Sequence, residues 1–145
     1  MLYKKIEKWS YLLRFYATYH EMKYYLKRAL KTEQDYMKEI GHYDRCIGKS
    51  VALLRLSIKY NVPIVVPTNT YRKRLLDITK YSYINKYFKK KTPEIYVICT
   101  GSGSANAALF GKIRNQVVLV EECIDEDQIK LLKDKGCIIV GYKNR

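Results

Sequence analysis

No stretch of this chain approaches the roughly 20 consecutive apolar residues that a bilayer-crossing helix needs. The longest apolar runs are short, such as Ile95–Cys99 and Val117–Val120, so no membrane partner is expected. Lys4, Lys5 and Lys8 stand near the start without a following apolar core or small-residue cleavage site. A secretory leader is therefore not expected, and a cytoplasmic location is. The four cysteines (Cys46, Cys99, Cys123 and Cys137) never fall in CxxC spacing, which argues against a zinc knuckle and for reduced structural thiols. His20 and His42 are the only histidines and lie apart from any Cys, Asp or Ser pattern, so no triad or metal set is built on them. Acidic residues are scarce as well. Fourteen Asp and Glu face 28 Lys and Arg, for a net charge of +14. An excess of that size favours polyanionic partners such as nucleic acid, nucleotides or an acidic protein surface.

Glycine and proline are missing altogether from residues 2–40. Leu2, Ile6, Trp9, Leu13, Tyr16 and Tyr19 or His20 recur there at helical spacing, and Met22, Leu26 and Leu30 extend the stripe. The pattern predicts a long helix over 3–30. Thr32-Glu33-Gln34-Asp35 reads as a helix N-cap with an acid three places on, so a second helix is expected over 33–40, ended by Gly41. Together these residues, 1–40, form a helical arm. A face of Trp9, Leu13, Tyr16 and Met22 suits either the core of the domain or an interface with a protein partner or a second copy. About 30 helical residues span roughly 45 Å, more than a domain this small covers, so part of the arm is expected to project.

Beyond residue 40 the period changes. Helices are expected over 50–60, 71–80 (with Thr70 as its cap), 105–112 and 125–135, the last stopped by Gly136. Short apolar strands are expected over 63–66, 95–100, 116–120 and 137–140. Alternating strands and helices predict an α/β domain over 41–145, a mostly parallel sheet of four to five strands flanked by helices. Ligands in such sheets sit at the carboxyl ends of the strands.

Gly48-Lys49-Ser50 opens directly into the helix expected over 50–60. A glycine there lets backbone N–H groups approach an anion, and a helix N-terminus favours negative charge. A lysine next to it reaches phosphate oxygens, and a serine hydroxyl suits Mg²⁺. About 70 positions on, Val117-Val-Leu-Val120 runs into Glu121-Glu122, an apolar strand ending in acid. On these residues the chain resembles the P-loop NTPases, in particular small phage-type ATPase-like proteins, over roughly 41–142. The resemblance implies a P-loop-like fold that takes ATP and Mg²⁺. Gly48, Lys49, Ser50 and Glu121 would bind the nucleotide, Ser50 and Glu121 would hold the metal ion, and Glu122 would serve as the base. Four departures stand against the family pattern. Tyr43 occupies the position of the first motif glycine, Gly41 lies two residues early, both strand-end acids are Glu, and the strand feeding the loop is expected to be short or absent. They bear on hydrolysis more than on the fold.

Gly101-Ser102-Gly103-Ser104-Ala-Asn106 follows the strand expected at 95–100. It lacks the third glycine of a dinucleotide fingerprint and reads as a strand-to-helix turn. Residues 71–91 carry Arg72, Lys73, Arg74, Lys80, Lys86, Lys89, Lys90 and Lys91 with interleaved Tyr71, Tyr81, Tyr83, Tyr87 and Phe88. Such a mixture neutralises phosphates and stacks on unpaired bases, or forms a solvated basic face. Two functions follow as expectations. The first is a nucleotide-binding protein of a phage or mobile element acting at or near nucleic acid. The second is a non-enzymatic basic binder on an eroded P-loop scaffold, directed at nucleic acid or a nucleoprotein complex, as a phage inhibitor of a host defence would be.

Overall fold

The computed structural model describes residues 1–41, 48–80, 91–98 and 112–144. Five strands form one sheet: β1 (Tyr36–Ile40), β2 (Ile64–Val66), β3 (Ile95–Val97), β4 (Val117–Val120) and β5 (Ile138–Asn144). Their order is β1-β5-β4-β2-β3, and every neighbouring pair is parallel. Four helices are present among the described residues: α1 (Leu2–Thr32), α2 (Lys49–Tyr60), α3 (Asn69–Ile78) and α4 (Glu126–Asp134). The expected α/β class with a parallel sheet is therefore found.

The sheet is buried on both faces, which is why its central strands read as continuous apolar runs. Ile64, Val66, Val117, Leu119, Val140 and Tyr142 point to the face covered by α1, α2 and α3. Val65, Val118, Val120 and Ile139 alternate with them and pack beneath α4, against Leu132 and Ile124. Period-two alternation thus feeds two cores from one set of strands. Gly141 lies opposite Val120 in the register of β5 against β4. A Cβ there would run into the Val120 carbonyl oxygen, so this close approach of two strands requires glycine.

Local signals set the helix ends. Asp125 and Gln128 make a reciprocal capping box at the start of α4, with Glu126 and Asp127 in its first turn. Gly136 follows the helix at φ 74, as a left-handed stop requires. The cap of α3 is Thr68 and not the expected Thr70. The Thr68 hydroxyl accepts from the Tyr71 N–H at 3.3 Å, and the helix starts two residues earlier than the sequence suggests. The strand and helix limits otherwise shift by a residue or two. The exceptions are β5, which runs four residues past the expected end, and β3, which stops at Val97. The helix expected over 105–112 falls almost entirely outside the described residues.

One element is corrected outright. Residues 36–40 are a strand and not the end of a second helix. Asp35 does not cap a helix. Its carboxylate accepts the Ile139 N–H at 2.8 Å and pairs with Lys133, fixing the entry to β1 beside β5. Tyr36 stacks flat on Tyr25 of α1 (3.5 Å, 4°) and donates to Glu21 at 2.8 Å, where Lys38 also binds. Glu39 meets Lys143 across the ladder at 3.4 Å. Tertiary partners therefore override a local pattern that could have formed a helical turn.

α1 descends antiparallel to β1. Tyr25 meets Tyr36, Glu21 meets Lys38, and Phe15 reaches Gly48 just beyond the carboxyl edge of the sheet. Its buried face is Phe15, Thr18, Tyr19, Met22, Leu26 and Ala29. Arg55 of α2 covers the rings of Phe15 and Tyr19 at 5.6 and 4.8 Å. The apolar stripe read from the sequence divides here. Met22 and Leu26 join the core, whereas Trp9 and Leu13 are 66% and 67% exposed and Tyr16 and Leu30 are exposed as well. No residue before Phe15 is buried, so the first 13 helical residues extend roughly 20 Å past the sheet edge.

Candidate functional site at the carboxyl edge of the sheet

Because all five strands are parallel, the segments leaving β1, β2 and β4 emerge at one edge. β1 delivers Gly41 to that edge and α2 begins at Lys49, so a strand and a helix flank residues 42–47. The feeding strand, expected to be short or absent, is present as the five residues of β1. Tyr43, the departure from the glycine pattern, lies outside the described residues. Gly48 caps α2 in a left-handed conformation (φ 78), and an added Cβ would lie 2.7 Å from Phe15 Cδ2. Glycine is required there twice over, by the backbone angle and by the ring above it.

The chain separation between the two motifs closes in space. Ser50 Oγ donates to Glu121 Oε1 at 2.6 Å across 71 positions. Lys49 Nζ lies 3.8 Å from Glu122 Oε2, with the lysine side chain nearly buried and the glutamate open to solvent. Lys49, Ser50, Glu121 and Glu122 thus form one cluster, at the N-terminus of α2 and the end of β4. The two acids differ in kind. Glu121 is buried. Burial pushes its carboxyl above the usual range and the neighbouring Glu122 charge adds to this, while the Ser50 hydrogen bond and the charges of Arg74 and Lys49 oppose it. Glu122 sits at the solvent side, bound loosely to Lys49.

α3 leaves the end of β2 beside the cluster. Tyr71, held above its ordinary value chiefly by burial, feels the charges of Cys123, Arg74, Glu121 and Glu122. Cys123 is half-buried, and burial with the Glu121 charge pushes its thiol up to about 12. A thiol held neutral is a poor nucleophile. Tyr71 and Arg74 were read from sequence as members of a basic–aromatic segment and not as neighbours of the acid pair. Their i, i+3 spacing on the helix that follows β2 was the available signal, but its use depends on knowing that β2 lies beside β4.

Comparison with protein-family models, curated proteins and solved structures finds no match. What the site does must therefore be argued from its chemistry. Ser50 and Glu121 converge as hard oxygen donors, with Glu122 next in line. This suits Mg²⁺, which takes one or two carboxylates and completes its shell with phosphate and water. No group of three or more His, Cys, Asp or Glu gathers as a self-sufficient metal site among the described residues.

Among the described residues, the basic residues expected to meet nucleic acid do not form a single strip. Arg72 Nε donates to the Ile95 carbonyl at 3.2 Å and ties α3 to β3. Lys73 is exposed on α3, as is Arg74, whose charge is felt at Glu121. Lys80 pairs with Asp77 at 3.5 Å. Lys91 lies at the opposite, amino edge, where it lines a cavity of about 50 Å³ with Ser57, Asn61, Val62 and Pro93. Lys86, Lys89 and Lys90 fall outside the described residues.

Proposed function

We propose that this chain is a P-loop-related protein that binds a nucleoside triphosphate, ATP in the first instance, at the start of α2. The observation that carries the reading is the 2.6 Å hydrogen bond between Ser50 and Glu121. It joins the turn that would cradle phosphate to the acid that would face it. The order of β1 before α2 and the left-handed Gly48 support the same reading. The N–H groups of the first turn of α2 would donate to phosphate oxygens. Lys49 would exchange Glu122 for the β- and γ-phosphates. Ser50 and Glu121 would hold Mg²⁺, which when bound neutralises charge on the phosphate oxygens. Glu122, released from Lys49 and open to solvent, is the group able to orient a water.

Lys49→Ala is expected to lower the affinity for Mg²⁺–ATP at least tenfold in isothermal calorimetry while the fold is retained. Equal affinity for the variant and the parent chain would remove this site from consideration.

A second reading rests on a separate observation. Lys49 already has a protein partner in Glu122, as in a scaffold that no longer needs phosphate. Under that reading the chain is a non-enzymatic binder of nucleic acid or a nucleoprotein surface, driven by its +14 charge. Binding to RNA or DNA would then weaken steeply between low and high salt without any need for ATP. Affinity independent of salt speaks against it.

A further inference from the structure

The projecting part of α1 carries a second apolar face that the domain does not use. Leu2, Ile6, Trp9, Leu13, Tyr16 and His20 follow one another at intervals of 4, 3, 4, 3 and 4 residues. That is the a/d spacing of a heptad repeat, kept for nearly three heptads. At 3.6 residues per turn, the seam is centred roughly 150° around the helix from the face of Phe15, Met22, Leu26 and Ala29 that packs on α2 and the sheet. Leu2, Ile6, Trp9, Leu13 and Tyr16 are 73%, 58%, 66%, 67% and 49% exposed. Tyr16 and His20 stack at the lower end, 6.4 Å between centroids. Its 4-3-4-3-4 spacing is that of the seam of a helix pair.

We infer that the first 20 residues of α1 form a two-helix coiled coil with the same segment of a second copy of this chain. The charge pattern selects the occupant. Despite the chain's net +14, the positions flanking the seam are Tyr3, Ser10 and Ala17 on one side and Lys5, Leu12 and Tyr19 on the other. Lys5 is the only charge among them, and in a parallel pair it faces Ser10 of the second copy. Lys4, Glu7, Lys8 and Arg14 point away from the seam. Self-pairing therefore meets no like-charge contact, whereas an acidic partner helix would find almost nothing at those flanks to recognise. α1 is held as a helix by its packed lower half, so pairing does not have to nucleate it.

A seam of under three heptads belongs to the small class of interfaces, below about 1,200 Å². The test is sedimentation of the full chain from about 1 to about 300 µM in roughly 0.15 M salt. A shift from 17.2 kDa to twice that mass is expected, together with a blue shift of the single tryptophan, Trp9, as the dimer forms. Trp9→Glu combined with Leu13→Glu should stay monomeric throughout with an unchanged far-ultraviolet spectrum, since both positions are solvent-facing. Lys4→Glu, on the opposite side of α1, should dimerise like the parent chain. A parent chain that is monomeric at every concentration overturns the proposal, and so does a Trp9/Leu13 variant that still dimerises. Burial of Trp9 only on addition of anionic vesicles or of an acidic helical peptide would assign the seam to another occupant and equally overturn it.

Discussion

Removing the Ser50 hydroxyl tests the central contact of the candidate site without touching its charges. Glu121 is 9% exposed, and Ser50 donates to it at 2.6 Å. A hydrogen bond to an ionised group contributes about 1.5–3 kcal/mol, and leaving a buried acceptor short of a donor sits at the upper part of that range. Ser50→Ala should therefore cost about 2–3 kcal/mol at pH 7. For a chain of this size that lowers the Tm by roughly 5–10 °C. Glu121→Gln should act in the opposite direction. The folded state raises the Glu121 carboxyl above its ordinary value, mainly through burial, so the folded protein holds that proton more tightly than the unfolded one. The resulting stabilisation is full below the unfolded value and is lost as pH rises through the folded one. Glutamine keeps an acceptor for Ser50 but cannot ionise. Its advantage over glutamate should accordingly be largest at neutral pH and vanish in acid. In the Glu121→Gln background the Ser50→Ala change removes only a neutral hydrogen bond, about 0.5–1.5 kcal/mol. A double-mutant cycle by urea denaturation at pH 7 should then give a coupling of about 1.5 kcal/mol, shrinking towards pH 4. Additivity within about 0.5 kcal/mol at both pH values would refute the argument.

Two further substitutions test the frame that holds the site. Gly141→Ala forces a methyl against the Val120 carbonyl between β5 and β4; it should cost about 1–3 kcal/mol in denaturant unfolding, and a neutral result would show that the strands part easily. Asp125→Ala dismantles the capping box of α4 and should lower stability by about 1 kcal/mol, with Asp125→Asn or Ser restoring most of it.

The central strands were legible because both of their faces are buried: Val117–Val120 and Ile64–Val66 could hardly be anything else. β1 was not. Tyr-Met-Lys-Glu-Ile is a half-exposed edge segment, and its identity comes from Tyr25, Glu21 and the backbone of β5, none of which is local. Thr32–Asp35 imitates a helix start, yet Asp35 binds the Ile139 N–H about a hundred positions away. At the site, Gly48-Lys49-Ser50 and Glu121-Glu122 could be found by motif and order alone. Tyr71 and Arg74 could not, since their place beside the acids follows from the insertion of β4 between β2 and β5. In α1 the spacing revealed a helix, but two apolar seams overlap near Phe15 and Tyr16, and only packing distinguishes the one that the domain covers.

Phe15 stands where the outer arm ends and the domain begins, and its ring lies over the one residue in the α2 turn that has no side chain to push back. α1 is continuous through that point, so any displacement of Phe15 would change the space above Gly48 at the lip of the candidate site.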